Sequence, residues 1–443
     1  MTQPAETVVP FFRAGNYAPV TDELTAFDLP VEGAVPPELN GWYLRNGPNP
    51  RQTTAHWFTG DGMIHGVRLE HGRAAWYRNR WVRTESFEHP FPVYNADGTR
   101  NLHSSVANTH VVRHAGKTLA LVESSLPYEI TNELETLGAY DFGGKLVDSM
   151  TAHPKICPTT GELHFFGYGS LTSPHVTYHR ADASGALTVN RGVDVTALTM
   201  MHDFAMTANH VIFMDLPIVF NLDIALKGEH DMPYRWDDDY GARLGVLRRD
   251  DPYGAIRWFE IDPCYVFHVV NAYETTRAGA DSIVLQAVRY PELWRDNGGF
   301  EVDGVMWSWT IDLGTGTVDE RQLDDRSVEF PRIDDRLAGL PARYGITVGN
   351  GSLVRYDLDR NASDEHRFGA GRSHGEPGEA VFAPAGPSTG ELAGWYLSYV
   401  YDPVRDGSDL VIIDASDFTG KPVARVRLPQ RVPHGFHGNW ITP

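Results

Sequence analysis

Four histidines in this sequence share a setting. His153 stands in Thr151-Ala152-His153-Pro154 and His202 in Met201-His202-Asp203-Phe204. His268 stands in Phe267-His268-Val269-Val270-Asn271 and His437 in Phe436-His437-Gly438. Apolar or small residues predominate around each. Neutral imidazole is the commonest side-chain metal ligand at physiological pH. Four converging imidazoles would hold one first-row transition metal with few or no charged ligands. Against this, the chain has 19 histidines, and taken singly each of the four reads as a packed or surface histidine. The four are far apart, without the close ligand pair of zinc sites and without an HExxH. His374-Gly375-Glu376 has the His-x-carboxylate spacing of facial-triad iron sites, but its Gly- and Ser-rich surroundings read as a solvated loop.

The elements that would position these residues are short strands. Gly41-Trp42-Tyr43-Leu44-Arg45-Asn46-Gly47-Pro48-Asn49-Pro50 reads as a short apolar strand and then a turn rich in Asn, Gly and Pro, and Thr59-Gly60-Asp61-Gly62 turns into a strand over Met63–Leu69. His110–Glu123 holds two strands around Ala115-Gly116-Lys117. Glu162–Tyr168, Val211–Phe220 (broken by Pro217), Ser282–Tyr290, Val305–Leu313, Trp395–Tyr401 and Leu410–Asp414 are strand-like. Helical pattern is confined to Asp334–Arg343 and Pro291–Asp296. Residues 228–243 and 359–377 read as loop excursions, and residues 1–37 as an extended, Pro-punctuated arm. Many short strands without βαβ alternation predict an all-β sandwich, barrel or propeller, and the length favours a propeller. No WD or kelch-like repeat sets a blade count. Widely spaced ligands suit a propeller, in which successive blades each send one residue to the axis. No linker divides residues 1–443, so one domain is expected.

The 443 residues carry 38 basic and 58 acidic side chains, a formal net charge of −20 without a long acidic run. That balance argues against nucleic acid, which needs a basic footprint, and against electrostatic docking on anionic lipid. A weak apolar membrane contact stays open. Two cysteines, Cys157 and Cys264, make no disulfide framework. No signal peptide and no transmembrane stretch is read, so a cytoplasmic protein is expected.

The chain resembles the carotenoid cleavage oxygenases, the family of retinal-pigment isomerohydrolases, apocarotenoid oxygenases and lignostilbene dioxygenases. The resemblance runs from Tyr43-Leu44-Arg45-Asn46-Gly47-Pro48-Asn49-Pro50 through Gly60-Asp61-Gly62-Met63, Asn108-Thr109, the histidine segments and Glu329-Phe330-Pro331 to Phe436-His437-Gly438. It implies a seven-bladed β-propeller capped by a dome of loops and short helices, with Fe(II) on the axis. His153, His202, His268 and His437 would be the iron ligands. By motif position Glu123, Glu329 and Glu379 would accept the free ring N–H of His202, His268 and His437, fixing each tautomer, and His153 would find another acceptor. His434, in Pro433-His434-Gly435-Phe436-His437, is passed over in favour of the histidine after Phe436. Thr109 falls where relatives place a small residue whose methyl group obstructs a coordination position.

The activity implied is oxidative cleavage by O2 of one C=C bond in a small apolar alkene, giving two carbonyl products. Aromatic candidates for the tunnel are Trp57, Phe58, Phe165, Phe204, Trp307 and Phe436. Lignostilbene-cleaving members carry a lysine just before the first of these glutamates; here Val122 stands there. A valine cannot hold a phenolate, so a carotenoid or, better, a shorter apocarotenoid is expected. The alternative is cleavage of stilbenoids or phenylpropenoids of the 4-hydroxystilbene, isoeugenol or vinylphenol type to aromatic aldehydes. An isomerase or hydrolase on the same iron, and a non-catalytic propeller module, are the other classes. The oligomeric state is not read.

Overall fold

The computed structural model describes residues 10–443 apart from 53, 55, 228–231, 278, 297, 301 and 370–373. Seven antiparallel sheets of four or more strands follow one another along the chain, with one extra two-stranded ribbon. They form a seven-bladed β-propeller. Blades 2, 3 and 4 begin with the strands His110–His114, Lys155–Ile156 and Ala205–Met206. Blades 5, 6 and 7 begin with Tyr265–Arg277, Glu329–Ile333, and the pair Glu376–Pro377 with Val381–Pro384. In blade 1 the corresponding strand is the last of the chain, Gly438–Ile441, which pairs with Gly41–Pro48. These first strands pack on one another around the axis: Gly438–Ile441 lies against His110–His114 and Val381–Pro384, and Tyr265–Arg277 against Ala205–Met206 and Glu329–Ile333.

The blades grade from apolar centre to charged rim. Leu163–Tyr168, the second strand of blade 3, is buried at every position, whereas Val318–Gln322 at the rim of blade 5 is Val-Asp-Glu-Arg-Gln and largely exposed. Strands buried on both faces are continuous apolar runs; edge strands carry charge that discourages pairing with another chain.

The ring is closed twice. Inside, the C-terminal strand completes blade 1. Outside, the N-terminal arm adds Thr25–Phe27 to the rim of blade 1 and Val31–Gly33 to the rim of blade 7. Asn79 fastens the arm, accepting from Leu24 N at 2.7 Å and donating to Asp22 O at 2.8 Å. Asn46 fastens the inner closure, donating to Ala107 O at 2.8 Å and His110 O at 3.3 Å. Gly62 is required here: a Cβ would lie 2.4 Å from Ala107 O and 2.6 Å from Val106 O.

Four local expectations are corrected. Asp334–Arg343 forms only the 3-10 turn Asp335–Leu337, capped by Asp334, because Gly339 and Pro341 stop it. Residues 291–296 hold no helix; the α-helices described are Glu85–Glu88 and Leu222–Lys227. The excursion at 228–243 includes the strand Tyr234–Trp236, paired with Ile218–Phe220; its residues 228–231 lie outside the described residues. The excursion at 359–377 includes Ala362–Arg367, the rim strand of blade 6, whose charges hid it, and Glu376–Pro377 of blade 7; residues 370–373 lie outside the described residues. No described helix is long and apolar enough to cross a membrane.

Candidate metal centre

Each of the seven blades sends one histidine or glutamate toward the axis. His153 and His202 sit just before the first strands of blades 3 and 4, His268 lies within that of blade 5, and His437 directly precedes Gly438–Ile441 in blade 1. Their rings meet on the axis. Centroids of His153 lie 4.5 Å from His202, 5.0 Å from His268 and 4.7 Å from His437. The Nε2 atoms of His153 and His202 are 3.0 Å apart, and ring nitrogens of His153, His268 and His437 all fall within 4.8 Å of one another.

The glutamates come from the other three blades. Glu123 lies two residues beyond the second strand of blade 2, Lys117–Leu121, Glu329 opens blade 6 and Glu379 lies between the two short strands of blade 7. Nδ1 of His202 donates to Glu123 at 2.9 Å, Nδ1 of His268 to Glu329 at 2.5 Å, and Nδ1 of His437 to Glu379 at 2.8 Å. A proton held at Nδ1 leaves Nε2 as a bare lone pair facing inward. Among the described residues no glutamate is bonded to His153.

This donor set fits a cation. Nitrogens each ~2.1 Å from one metal ion lie about 3–4 Å apart, close to the separations found. Nε2 of His268 is buried without a hydrogen-bond partner. Glu123 and Glu329 have no arginine or lysine partner among the described residues; Tyr168 and Tyr290 donate to them at 2.7 and 3.0 Å. Burial resists their ionisation, yet His202 and His268 outweigh it and hold both carboxyls below the ordinary range. Two such carboxylates call for positive charge at the histidine cluster. Burial, and the crowding of the other imidazoles, push His153 and His437 well below the usual histidine range, so they stay neutral imidazoles.

Further residues hold the shell. Arg332 donates to Glu379 at 3.1 Å and to Gly438 O at 2.8 Å. Buried Asp203 pairs with Lys155 at 2.8 Å and accepts from Val269 N at 2.8 Å, tying blades 3, 4 and 5 beside the histidines. The sequence reading missed His110 and Phe330. His110 donates from Nδ1 to Ala152 O at 2.8 Å and packs 5.2 Å from His437; burial drops its pKa to about 3. Phe330 takes a positive φ of 52°, rare for a bulky residue, and stacks on His268 at 5.4 Å. His110 adjoins the motif Asn108-Thr109 and Phe330 lies within Glu329-Phe330-Pro331, the signal that could have found them. His434 is turned away: it bonds Glu376 at 2.7 Å and meets Tyr17.

Above the histidines lies a cavity of about 760 Å³ whose lining includes His202, His268 and His437. Thr109, Val122, Trp57, Phe58 and Phe436 are among the residues that line it. Asn108 donates to Phe58 O and Gly60 O, both at 2.8 Å, and so pins the loop that presents Phe58. Phe204, Phe165 and Trp307 do not line it. Phe204 lies one step deeper, at the entry to Ala205–Met206, with its ring on Phe166 at 5.3 Å in the core between blades 3 and 4. Phe165 stacks on Phe142 inside another core, and Trp307 lies under Arg289 on the third strand of blade 5.

Residues 17–442 match the family model of the retinal pigment epithelial membrane protein. The chain is 38% identical to a carotenoid cleavage oxygenase of Mycobacterium tuberculosis, over 99% of this chain and 98% of that one. It is 35% identical to a carotenoid 9,10(9',10')-cleavage dioxygenase of Crocus sativus, over 97% of this chain and 89% of that one. Among solved structures, the lignostilbene dioxygenase of Pseudomonas brassicacearum superposes with a TM-score of 0.86 at 26% identity, covering 98% of this chain and 100% of that one.

Proposed function

The chain belongs to the carotenoid cleavage oxygenase family, and on that premise we propose that it holds one Fe(II) on His153, His202, His268 and His437. With O2 it cleaves one C=C bond of a carotenoid or apocarotenoid into two carbonyl fragments. One observation carries this reading: the imidazoles converge on the axis, and the buried Glu379 and half-buried Glu123 and Glu329 hold the Nδ1 protons of three. When bound, the iron supplies the activation of O2.

The chain's own residues do the rest. Glu123, Glu329 and Glu379 keep Nε2 of their histidines unprotonated and aimed at the metal. Phe58, Trp57 and Phe436 form a dry aromatic wall along which a polyene lies, with one double bond above His202, His268 and His437. The Thr109 hydroxyl donates to Asn108 Oδ1 at 2.9 Å, which leaves its methyl group to narrow access to the metal. Phe330 and His110 keep the imidazole planes from turning.

A phenolic alkene is the second reading, favoured by likeness to the lignostilbene dioxygenase. It is the weaker one, because the cavity-lining position just before Glu123 is Val122, which supplies no ammonium group for a phenolate there. The test is metal analysis coupled to oxygen uptake with an apocarotenal, a hydroxystilbene and a vinylphenol, products followed by mass. One iron per chain and uptake with the polyene are expected. Uptake with phenolic alkenes alone would change the substrate and keep the metal site; no iron after Fe(II) reconstitution would overturn the site.

A further inference from the structure

Two arginines line the cavity, Arg51 and Arg100. Arg51 is neutralised and covered: its Nε lies 3.6 Å from Asp61 and its guanidinium lies over the Phe87 ring. Arg100 is not. Its Nε donates to Ser124 O at 2.8 Å, and Nη1 to Tyr94 Oη and Gly169 O, both at 3.3 Å. All three acceptors are uncharged. Among the described residues no carboxylate forms an ion pair with it, and its Nη2 has no acceptor. The acidic side chains of the lining are engaged elsewhere or exposed: Asp61 with Arg51, Glu123 with His202, Glu329 with His268, and Glu88 in solvent.

The cavity is therefore amphiphilic. Phe58, Phe300 and Phe436 form one apolar wall, with Phe58 centroids 5.7 and 5.6 Å from the other two. Arg100 with Tyr94 forms a polar corner, held by backbone next to Glu123 and Tyr168, the residues that orient His202. An uncharged polyene filling this space would strip water from a guanidinium and offer nothing in return. An anionic oxygen would give the unused N–H groups a charge-assisted partner.

We propose that Arg100 anchors a carboxylate at the end of the substrate, so that the preferred substrate is a polyene acid, apolar along its length with one carboxylic terminus. This rests on the reading of the cavity as a polyene site. Phenols and alcohols, uncharged at neutral pH, gain less from the same donors.

The experiment uses the iron-loaded full chain with all-trans-retinoic acid, its methyl ester and retinal as probes. Binding is read by quenching of tryptophan fluorescence, since Trp57 lines the cavity. The wild type is expected to bind the acid about 10- to 100-fold tighter than the ester, the scale of a hydrogen bond to a charged group. R100M should bring the acid-to-ester ratio to about one, and R100K should retain part of the preference. Equal or tighter binding of the ester by the wild type, which needs no variant, overturns the proposal; so does a preference for the acid that survives R100M. Binding requires no turnover. Failure to cleave any polyene would therefore sink the cleavage reading while the acid-to-ester ratio still decides the role of Arg100.

Discussion

A histidine ligand is only as good as the group behind it. Glu379→Gln removes the charge that faces His437 but keeps a side chain of the same shape. It is expected to weaken Fe(II) about 10- to 100-fold, the usual cost of an altered outer partner, measured by competition with a chelator. His268→Ala should reduce iron to a few per cent of one per chain by elemental analysis, because its unpartnered Nε2 is lost outright. The correction at Phe204 has its own test. Phe204→Ala is expected to cost about 3–5 kcal/mol of stability in denaturant unfolding and to leave polyene affinity within about two-fold; a large loss of affinity with normal stability would restore it to the cavity. The four histidines and three glutamates were legible because each lies in a short, recognisable segment. His110 was not, because a histidine that hydrogen-bonds a carbonyl looks in sequence like any strand histidine. Phe330 was not, because backbone φ leaves no mark on residue type outside glycine.

Strands are held to strands here by a few buried polar clamps. Asn46→Ala would leave Ala107 O and His110 O with fewer partners at the closure of the ring. It is expected to lower stability by about 1–3 kcal/mol in denaturant unfolding. Glu274 clamps blade 5 to blade 4: it accepts from His210 Nδ1 at 2.9 Å and from Asn209 N at 2.9 Å. Burial opposes its ionisation, but these hydrogen bonds prevail and bring its pKa from the ordinary 4.5 to about 2. A carboxyl depressed in the folded state stabilises above its unfolded pKa and loses that contribution as pH falls toward the folded one. Glu274→Gln should therefore lower the melting temperature at pH 7 and converge on the wild type as pH drops from about 4.5 toward 2. The central strands were readable as apolar runs. The rim strand Ala362–Arg367 reads as loop because its side chains Ser363, Asp364 and Glu365 are polar and face water or half-water.

At the scale of the whole ring, the proposed metal would support the fold. Seven blades deliver seven groups to one axis, so without a cation the imidazole lone pairs would face one another with carboxylates behind them. Chelation is expected to lower the melting temperature, and Fe(II) to restore it in a concentration-dependent way, as binding to the folded state alone requires; a melting temperature indifferent to iron would separate the axis from the fold. The arm and the C-terminal strand close this ring at the seam between blades 7 and 1, outside and inside. The sequence by itself determined the all-β class, because turn residues and buried apolar runs are local properties of the chain. It also carried the identities of the axial residues, through motifs that keep type and immediate neighbours together. Only the tertiary structure decided that His153, His202, His268 and His437 meet, which glutamate faces which histidine, and that Arg100 lines an aromatic cavity with no carboxylate in ion-pair contact among the described residues. Those are distances between groups set by how seven blades pack, and no local pattern records a distance across the ring.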